Sequence, residues 1–273
     1  MKAIKQGKHA FVQKPLTKTV FEARQLREAA KKHKVATQMG NQGTSTSGLR
    51  KGVEVVQSGG LGNVTEIHVW TNRPVWPQGS KAIPTVPKAD KVPEHMDWSS
   101  WLGPAADRDY SRRYLPFVWR GFWDFGTGAL GDMACHYMDL PFWACKLRHP
   151  ISCEAEGPSV HPETCPLGLT VRYQFPKRGD LVATKLTWYD GNMIPKQIEG
   201  ERVPGAGVMF IGSDGMMFAN YGSYKLFPQE KFKGFKPPKQ TIAKSIGHHA
   251  ESVSYTHLRA HETRHDLVCR LLL

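Results

Sequence analysis

The chain has 273 residues, enough for one large or two ordinary domains with an apolar core. Hydrophobic residues make up 40% of it, and no apolar run approaches the roughly 20 residues of a membrane span, so a soluble protein without a membrane partner is expected. Lys and Arg outnumber Asp and Glu 37 to 24, but 12 of those cations fall in residues 1–52 against only Glu22 and Glu28, largely on one predicted helix face without interleaved aromatics, which argues against a nucleic-acid partner.

Residues 9–13 form a strand-like apolar run that ends at Lys14, directly before Pro15. Proline fixes its own φ and biases the preceding residue towards extended backbone. A lysine held at the C-terminal end of a strand points into the crevice where doubly wound sheets bind ligands. Thr19 to His33 sets Val20, Ala23, Leu26, Ala29 and Ala30 at helical spacing between charges. A second short strand follows at Val35–Met39, and Gly40-Asn41-Gln42-Gly43 punctuates the chain as a loop. This strand–helix–strand unit fits the last part of a doubly wound domain, ahead of which about 100 residues with a phosphate-binding turn and a ribose-binding acid are expected.

Gly48 to Ser58 predicts a helix ending at Gly59-Gly60, and Val64–Trp70 alternates as a half-buried strand. Residues 72–118, rich in Pro, Trp and charge, predict a long ordered loop. After residue 150 the pattern is antiparallel β, with strands at Leu169–Phe175, Leu181–Tyr189, Val208–Gly212 and Met216–Ala219 and a hairpin turn at Ser213-Asp214-Gly215. Residues 226–247 read as extended. The five cysteines, Cys135, Cys145, Cys153, Cys165 and Cys269, form no CxxC, and no Cys/His group has zinc-finger spacing, so no metal is expected.

The block from Gly131 to Leu140 carries the second candidate group. Asp132 and His136, four apart, share one face of a helix, and Asp139 stays near that face. An imidazole there suits proton transfer, with a carboxylate beside it to orient the ring or a substrate hydroxyl. The same spacing also suits a helix N-terminus capped by Asp132, with His136 a satisfied semi-buried residue. Gly126-Thr127-Gly128-Ala129-Leu130-Gly131 has the form G-x-G-x-x-G, but no strand leads into it and no βαβ unit surrounds it, so a tight turn delivering Asp132 and His136 is expected. Asn41 and Gln42 either line the crevice or are ordinary turn residues. The tryptophans, with Arg73, Arg113, Arg120, Asp107 and Asp124, suggest a polyhydroxylated substrate, while core packing accounts for most of the aromatic rings.

The Lys8–Leu16 block resembles the Glu-Lys-Pro motif of the glucose-fructose oxidoreductase / inositol dehydrogenase / MocA family. Asp132 and His136 match that family's Asp-x-x-x-His pattern, and Met39–Gly43, Trp70–Pro74 and Trp101–Pro104 are similar to segments of its bacterial branch. The resemblance extends from Lys8 to about Glu251. It implies an α/β fold: the C-terminal remnant of a Rossmann domain over residues 1–43, then an α+β substrate domain over 44–251 with a large, open, mainly antiparallel sheet. It implies Lys14, Asp132 and His136 as the catalytic group, Gln13, Lys14, Pro15 and Asn41 as cofactor contacts, and Gln42, Arg120, Trp123 and Asp139 as substrate contacts. NAD or NADP is the implied cofactor and a sugar or cyclitol-like polyol the implied substrate. A homo-oligomer through the sheet is also implied. The N-terminus has lysines but no apolar signal-peptide core, so a cytoplasmic place is expected, with export left open if the true N-terminus lies further upstream. Gln13 stands where the family has a glutamate, which removes a negative charge beside Lys14.

Residues 252–273 do not continue the family pattern, and Ser254–Thr263 resembles a translated sequencing adaptor, so this stretch is expected to be a non-native tail. The spacing of His257, His261 and His265 is set aside with it. The chain is thus expected to be a fragment of an oxidoreductase, inactive by itself. The alternative is a non-catalytic carbohydrate-binding or oligomerisation domain.

Overall fold

The structure, a computed structural model, describes residues 1–259; His261, His265 and Cys269 lie outside the described residues. After a single helical turn, α1 (Lys2–Lys5), come β1 (Ala10–Gln13), α2 (Val20–His33) and β2 (Thr37–Gly40). The two strands pair in parallel, from Ala10 opposite Thr37 to Gln13 opposite Gly40, so that both end at the same edge. α2 starts with a capping box: the Thr19 hydroxyl accepts the Glu22 N–H (3.2 Å), and the Glu22 carboxylate accepts the Thr19 N–H (2.9 Å). It closes on Lys31, Lys32 and His33, which suit the negative end of the helix dipole. Leu26, Ala29 and Ala30 pack on Ile4 and Val35. β2 begins two residues later than the apolar pattern predicts, because the Val35 N–H still bonds back to the Ala30 carbonyl of α2.

A 3-10 turn over Gln42–Ser45 leads into α3 (Ser47–Gln57) and β3 (Val64–Trp70). The long loop contains one short helix, α4 (Trp98–Leu102), capped by Asp97, and folds around a satellite core of Ile83, Tyr114 and Phe122. Then follow α5 (Gly128–Tyr137), α6 (Asp139–Ala144), β4 (Ser152–Glu156), β5 (Thr170–Phe175), β6 (Thr184–Tyr189), the small hairpin β7 (Gln197–Ile198) and β8 (Glu201–Arg202), β9 (Gly207–Gly212), β10 (Gly215–Ala219), β11 (Tyr224–Phe227) and α7 (His248–Arg259).

Seven strands form one mixed sheet in the order β11-β10-β9-β3-β6-β5-β4. All neighbours are antiparallel except β3 and β6, whose parallel pairing needs the long connection that carries the loop, α5, α6, β4 and β5. The fold is therefore α/β with a large, mainly antiparallel sheet. One face buries Ile67, Val69, Leu186, Trp188 and Phe210 against Leu49 and Val53 of α3 and Leu140 of α6. Each such side chain contributes about 1.5–3 kcal/mol of hydrophobic stabilisation. The other face carries Trp70 and Met209 under Ile198 of the small hairpin, while Tyr189, Ile211, Met216 and Phe218 stay partly exposed. β4 has no counterpart in the sequence reading, and the stretch expected to be extended from 226 opens inside β11. Among the described residues, no helix is long and apolar enough to cross a membrane.

Candidate active site

Lys14 leaves the C-terminal end of β1, where β2 also ends, and reaches into the first turns of α5. Its ammonium donates to Asp132 Oδ1 (2.7 Å) and to the Asp132 carbonyl (2.8 Å). The same Oδ1 accepts the Arg120 Nε (3.1 Å). Arg120 is fixed in turn by its Nη1, which donates to the Phe117 carbonyl, and by the Phe117 and Trp119 rings, each 4.5 Å from its guanidinium carbon. A buried carboxylate thus holds two cations from two different loops.

The glycine-rich run delivers this helix differently from the sequence expectation. The turn is confined to Gly126–Gly128, α5 already begins at Gly128, and Gly131 is helical. Gly128 has φ +64°, and a Cβ there would lie 2.8 Å from the Cys165 Cβ. Asp132 accordingly lies within the helix rather than at its cap. It also holds Lys14 and Arg120, whereas the sequence reading has it hold His136 or substrate.

His136 lies one turn further along α5 and is buried. Burial first, and then the Lys14 charge, push its imidazole down to about 4, against the opposing pull of Asp132. It is neutral at pH 7 and so able to accept a proton. Asn41 sits beyond β2 and donates to the Cys135 carbonyl (3.3 Å) on the same helix. Gln13 ends β1 with its amide against Gly40, where a Cβ would overlap the Gln13 Oε1. Asp139 is buried at the start of α6. Gln42 is exposed. Trp123 is directed elsewhere: its indole donates to the His161 carbonyl (2.8 Å), and its own carbonyl accepts Lys18 Nζ. Lys14, Asp132, Arg120, His136 and Asn41 are therefore gathered around α5, while the hydrogen bonds of Trp123 run to His161 and Lys18.

Two aromatic residues absent from the sequence reading complete the surroundings. Tyr221, in the β10–β11 turn, stacks on Tyr137 (5.3 Å, 16°) and meets His136 edge to face (6.1 Å, 72°). Burial raises both phenols, so they stay neutral. The Arg73 charge reaches the Tyr137 hydroxyl. No local pattern marks a tyrosine in a hairpin turn as part of a site. A cavity of about 470 Å³ adjoins this group, between Pro15–Lys18 and the Leu130–Met138 side of α5; Lys14, Asp132 and His136 do not line it.

Residues 49–241 match the oxidoreductase family C-terminal alpha/beta domain of the glucose-fructose oxidoreductase / inositol dehydrogenase / MocA group, and the chain belongs to that family. No curated protein sequence matches it. In fold it is similar to the aldose-aldose oxidoreductase of Caulobacter crescentus, solved with glycerol (TM-score 0.54, 14% identity, 95% of this chain and 63% of that one). It is also similar to the WlbA dehydrogenase of Chromobacterium violaceum, solved with NADH and UDP-GlcNAcA (TM-score 0.53, 15% identity, 94% and 62%). An oxidoreductase of Thermotoga maritima aligns over 94% of this chain and 69% of its own (TM-score 0.51, 14% identity). The chain spans about half to just over two-thirds of the length of the solved structures it matches.

Proposed function

We propose that this chain belongs to a nicotinamide-dependent oxidoreductase that moves hydride between NAD or NADP and a carbinol carbon of a sugar or cyclitol-like polyol. The observation that carries this is the Lys14–Asp132 contact, made where two parallel strands end and one helical turn from a neutral, buried His136. Ligands of parallel sheets bind at such ends. Lys14, Pro15 and Asn41 stand there, with Gln13 behind them, and fit the nicotinamide end of the cofactor. The nicotinamide, when bound, supplies the hydride acceptor.

The chain's own residues do the rest. His136 takes the proton of the substrate hydroxyl as general base. The Lys14 ammonium donates to that oxygen and stabilises its developing negative charge. Asp132 orients Lys14, and Arg120 holds the Asp132 carboxylate in place. Arg120, Asp139 and Gln42 are the candidates for further substrate contacts. The same reading makes residues 1–43 the end of a dinucleotide-binding domain, 44–251 the substrate domain and 252–273 a non-native tail. It also makes the partly exposed outer face of the sheet, with Tyr189, Met216 and Phe218, the surface through which copies of the chain associate.

The test is nicotinamide reduction, followed by absorbance, with a panel of aldoses, inositols and glycerol. It is run on the chain as it stands and on its reading frame extended upstream. In the extended enzyme, Lys14→Met and His136→Gln should each lower kcat by about 100-fold or more. No reduction with any polyol, or variants as active as the parent, overturns the reading.

A further inference from the structure

Nδ1 of His136 and the hydroxyl oxygen of Tyr221 are fully buried and have no hydrogen-bond partner among the described residues. Buried polar groups are almost always paired, so each of these two needs a reason. Their rings are neighbours, edge to face, with centroids 6.1 Å apart.

Tyr221 is held firmly enough to act on a neighbour. The Asn220 side chain accepts the N–H groups of Gly222 (2.9 Å) and Ser223 (3.0 Å), which fixes the turn that presents it. Its ring lies flat on Tyr137. On another side it presses on Gly43, where a Cβ would lie 2.7 Å from its hydroxyl oxygen and overlap the ring. Three segments distant in sequence thus meet on one phenol. Burial, reinforced by Tyr137, Cys135 and the Asp139 carboxylate, keeps that phenol protonated. A neutral phenol oxygen can accept a hydrogen through its lone pairs.

We propose that Tyr221 is a positioning residue of the site: its oxygen accepts the Nδ1 hydrogen of His136 and so leaves the lone pair on Nε2, the nitrogen that takes the substrate proton. Which imidazole nitrogen carries the hydrogen is set by the bond that the other nitrogen makes. The two atoms lie outside hydrogen-bond geometry in this structure, and the pairing is expected in the free chain, before substrate arrives. No covalent bond changes in the pairing. When Nε2 receives the hydroxyl proton, the imidazolium charge is shared with the phenol oxygen through Nδ1–H. The assignment of Nε2 as base rests on the oxidoreductase reading, but the pairing itself does not.

The experiment reads the tautomer by proton–nitrogen correlation NMR of the histidine rings at pH 7, on the chain without cofactor or substrate. His136 is identified as the resonance lost in His136→Gln. In the parent chain His136 should carry its hydrogen on Nδ1. Tyr221→Phe keeps the ring packing and removes only the oxygen, and it should shift His136 to the Nε2–H form that an unconstrained histidine side chain favours. A parent His136 already in the Nε2–H form, or a Tyr221→Phe chain still in the Nδ1–H form, overturns the proposal. Because no turnover is needed, failure of the oxidoreductase reading leaves this result readable. In the active, extended enzyme Tyr221→Phe should lower kcat by about tenfold with KM little changed, since it weakens one general base without touching substrate; an unchanged kcat counts against it.

Discussion

Lys14 Nζ and Asp132 Oδ1 lie 2.7 Å apart although 118 residues separate them in the chain. The contact ties the end of the two-stranded parallel unit to the helix of the large domain, and both side chains are nearly buried, at 13% and 8% exposed. Breaking a buried pair by removing one partner is costly because it leaves a charge uncompensated. The two removals differ here. Lys14→Met leaves Asp132 with Arg120, whereas Asp132→Asn leaves Lys14 and Arg120 facing one another. Asp132→Asn should destabilise the chain by about 3 kcal/mol, and Lys14→Met by less, about 1–2 kcal/mol. Denaturant unfolding of the purified chain measures both. The reverse order would mean that Arg120 does not hold Asp132.

The acid limb of stability should show two opposing groups. His136 titrates near 4 when folded against 6.5 when free, so between those values the unfolded chain binds the extra proton. Its contribution to stability is complete above pH 6.5 and is lost as pH falls towards 4, by up to about 3 kcal/mol. His68, lowered by burial, adds in the same direction. Asp190 acts oppositely. Burial lifts it from 3.8 to about 6, against the pull of hydrogen bonds from Trp188 and Leu169. The folded chain therefore holds this proton first, and the contribution grows as pH falls from 6 to 3.8. Relative to the parent, His136→Gln should gain stability on acidification over this range, and Asp190→Asn should lose it. Unfolding midpoints at pH 6.5 and 4.5 give the comparison, and parallel profiles for both variants would refute it.

One guanidinium ties Glu251 of α7 to two other segments of the fold. Arg50 Nη2 donates to both Glu251 oxygens (2.6 and 2.8 Å), while its Nε and Nη1 hold the carbonyls of Thr44 (3.0 Å) and Ala243 (2.6 Å). The Ser45 hydroxyl donates to Glu251 as well (3.1 Å). The pair is partly exposed, so its worth is moderated by solvent: Glu251→Gln should cost about 1 kcal/mol. Arg50→Met should cost more, because the two carbonyls lose their donor too. In a double-mutant cycle the two losses should fall short of additivity by about 0.5 kcal/mol or more. Full additivity would show that the ion pair contributes nothing.

What the sequence made legible here was local. The β1–α2–β2 unit could be read because the apolar spacing from Thr19 to His33 is regular and lies between two strand-like runs. The Asp132–His136 spacing could be read because a helix enforces it. Lys14 was grouped with Asp132 only through the family resemblance, and the bond from Arg120 to Asp132 was not foreseen, because these partners stand 118 and 12 residues away in the chain. β4 was invisible because Ser152–Glu156 is an edge strand exposed over most of its length, with no apolar alternation to reveal it. The parallel pairing of β3 and β6 is decided by the path of some 110 intervening residues, which strand periodicity does not record. Tyr221 was missed for the same reason: its neighbours Gly43, Tyr137 and His136 belong to other segments.

Gly43 is the sharpest test of that tertiary packing. A Cβ at this position would overlap the Tyr221 ring, so Gly43→Ala must displace either the 3-10 turn or the phenol. Overpacking of this kind costs about 1–3 kcal/mol. Shortening the side chain it meets should relieve most of that cost, so in a Tyr221→Ala background Gly43→Ala should be markedly milder, a coupling of about 1 kcal/mol or more. Gly48 provides the contrast. A Cβ there would lie 2.5 Å from the Ser223 nitrogen and against the Gly222 backbone, atoms that Tyr221→Ala leaves in place. Gly48→Ala should therefore remain as damaging with or without the tyrosine ring. Equal rescue of the two glycine variants by Tyr221→Ala would mean that the whole β10–β11 turn moves away and that the ring itself is not what Gly43 accommodates.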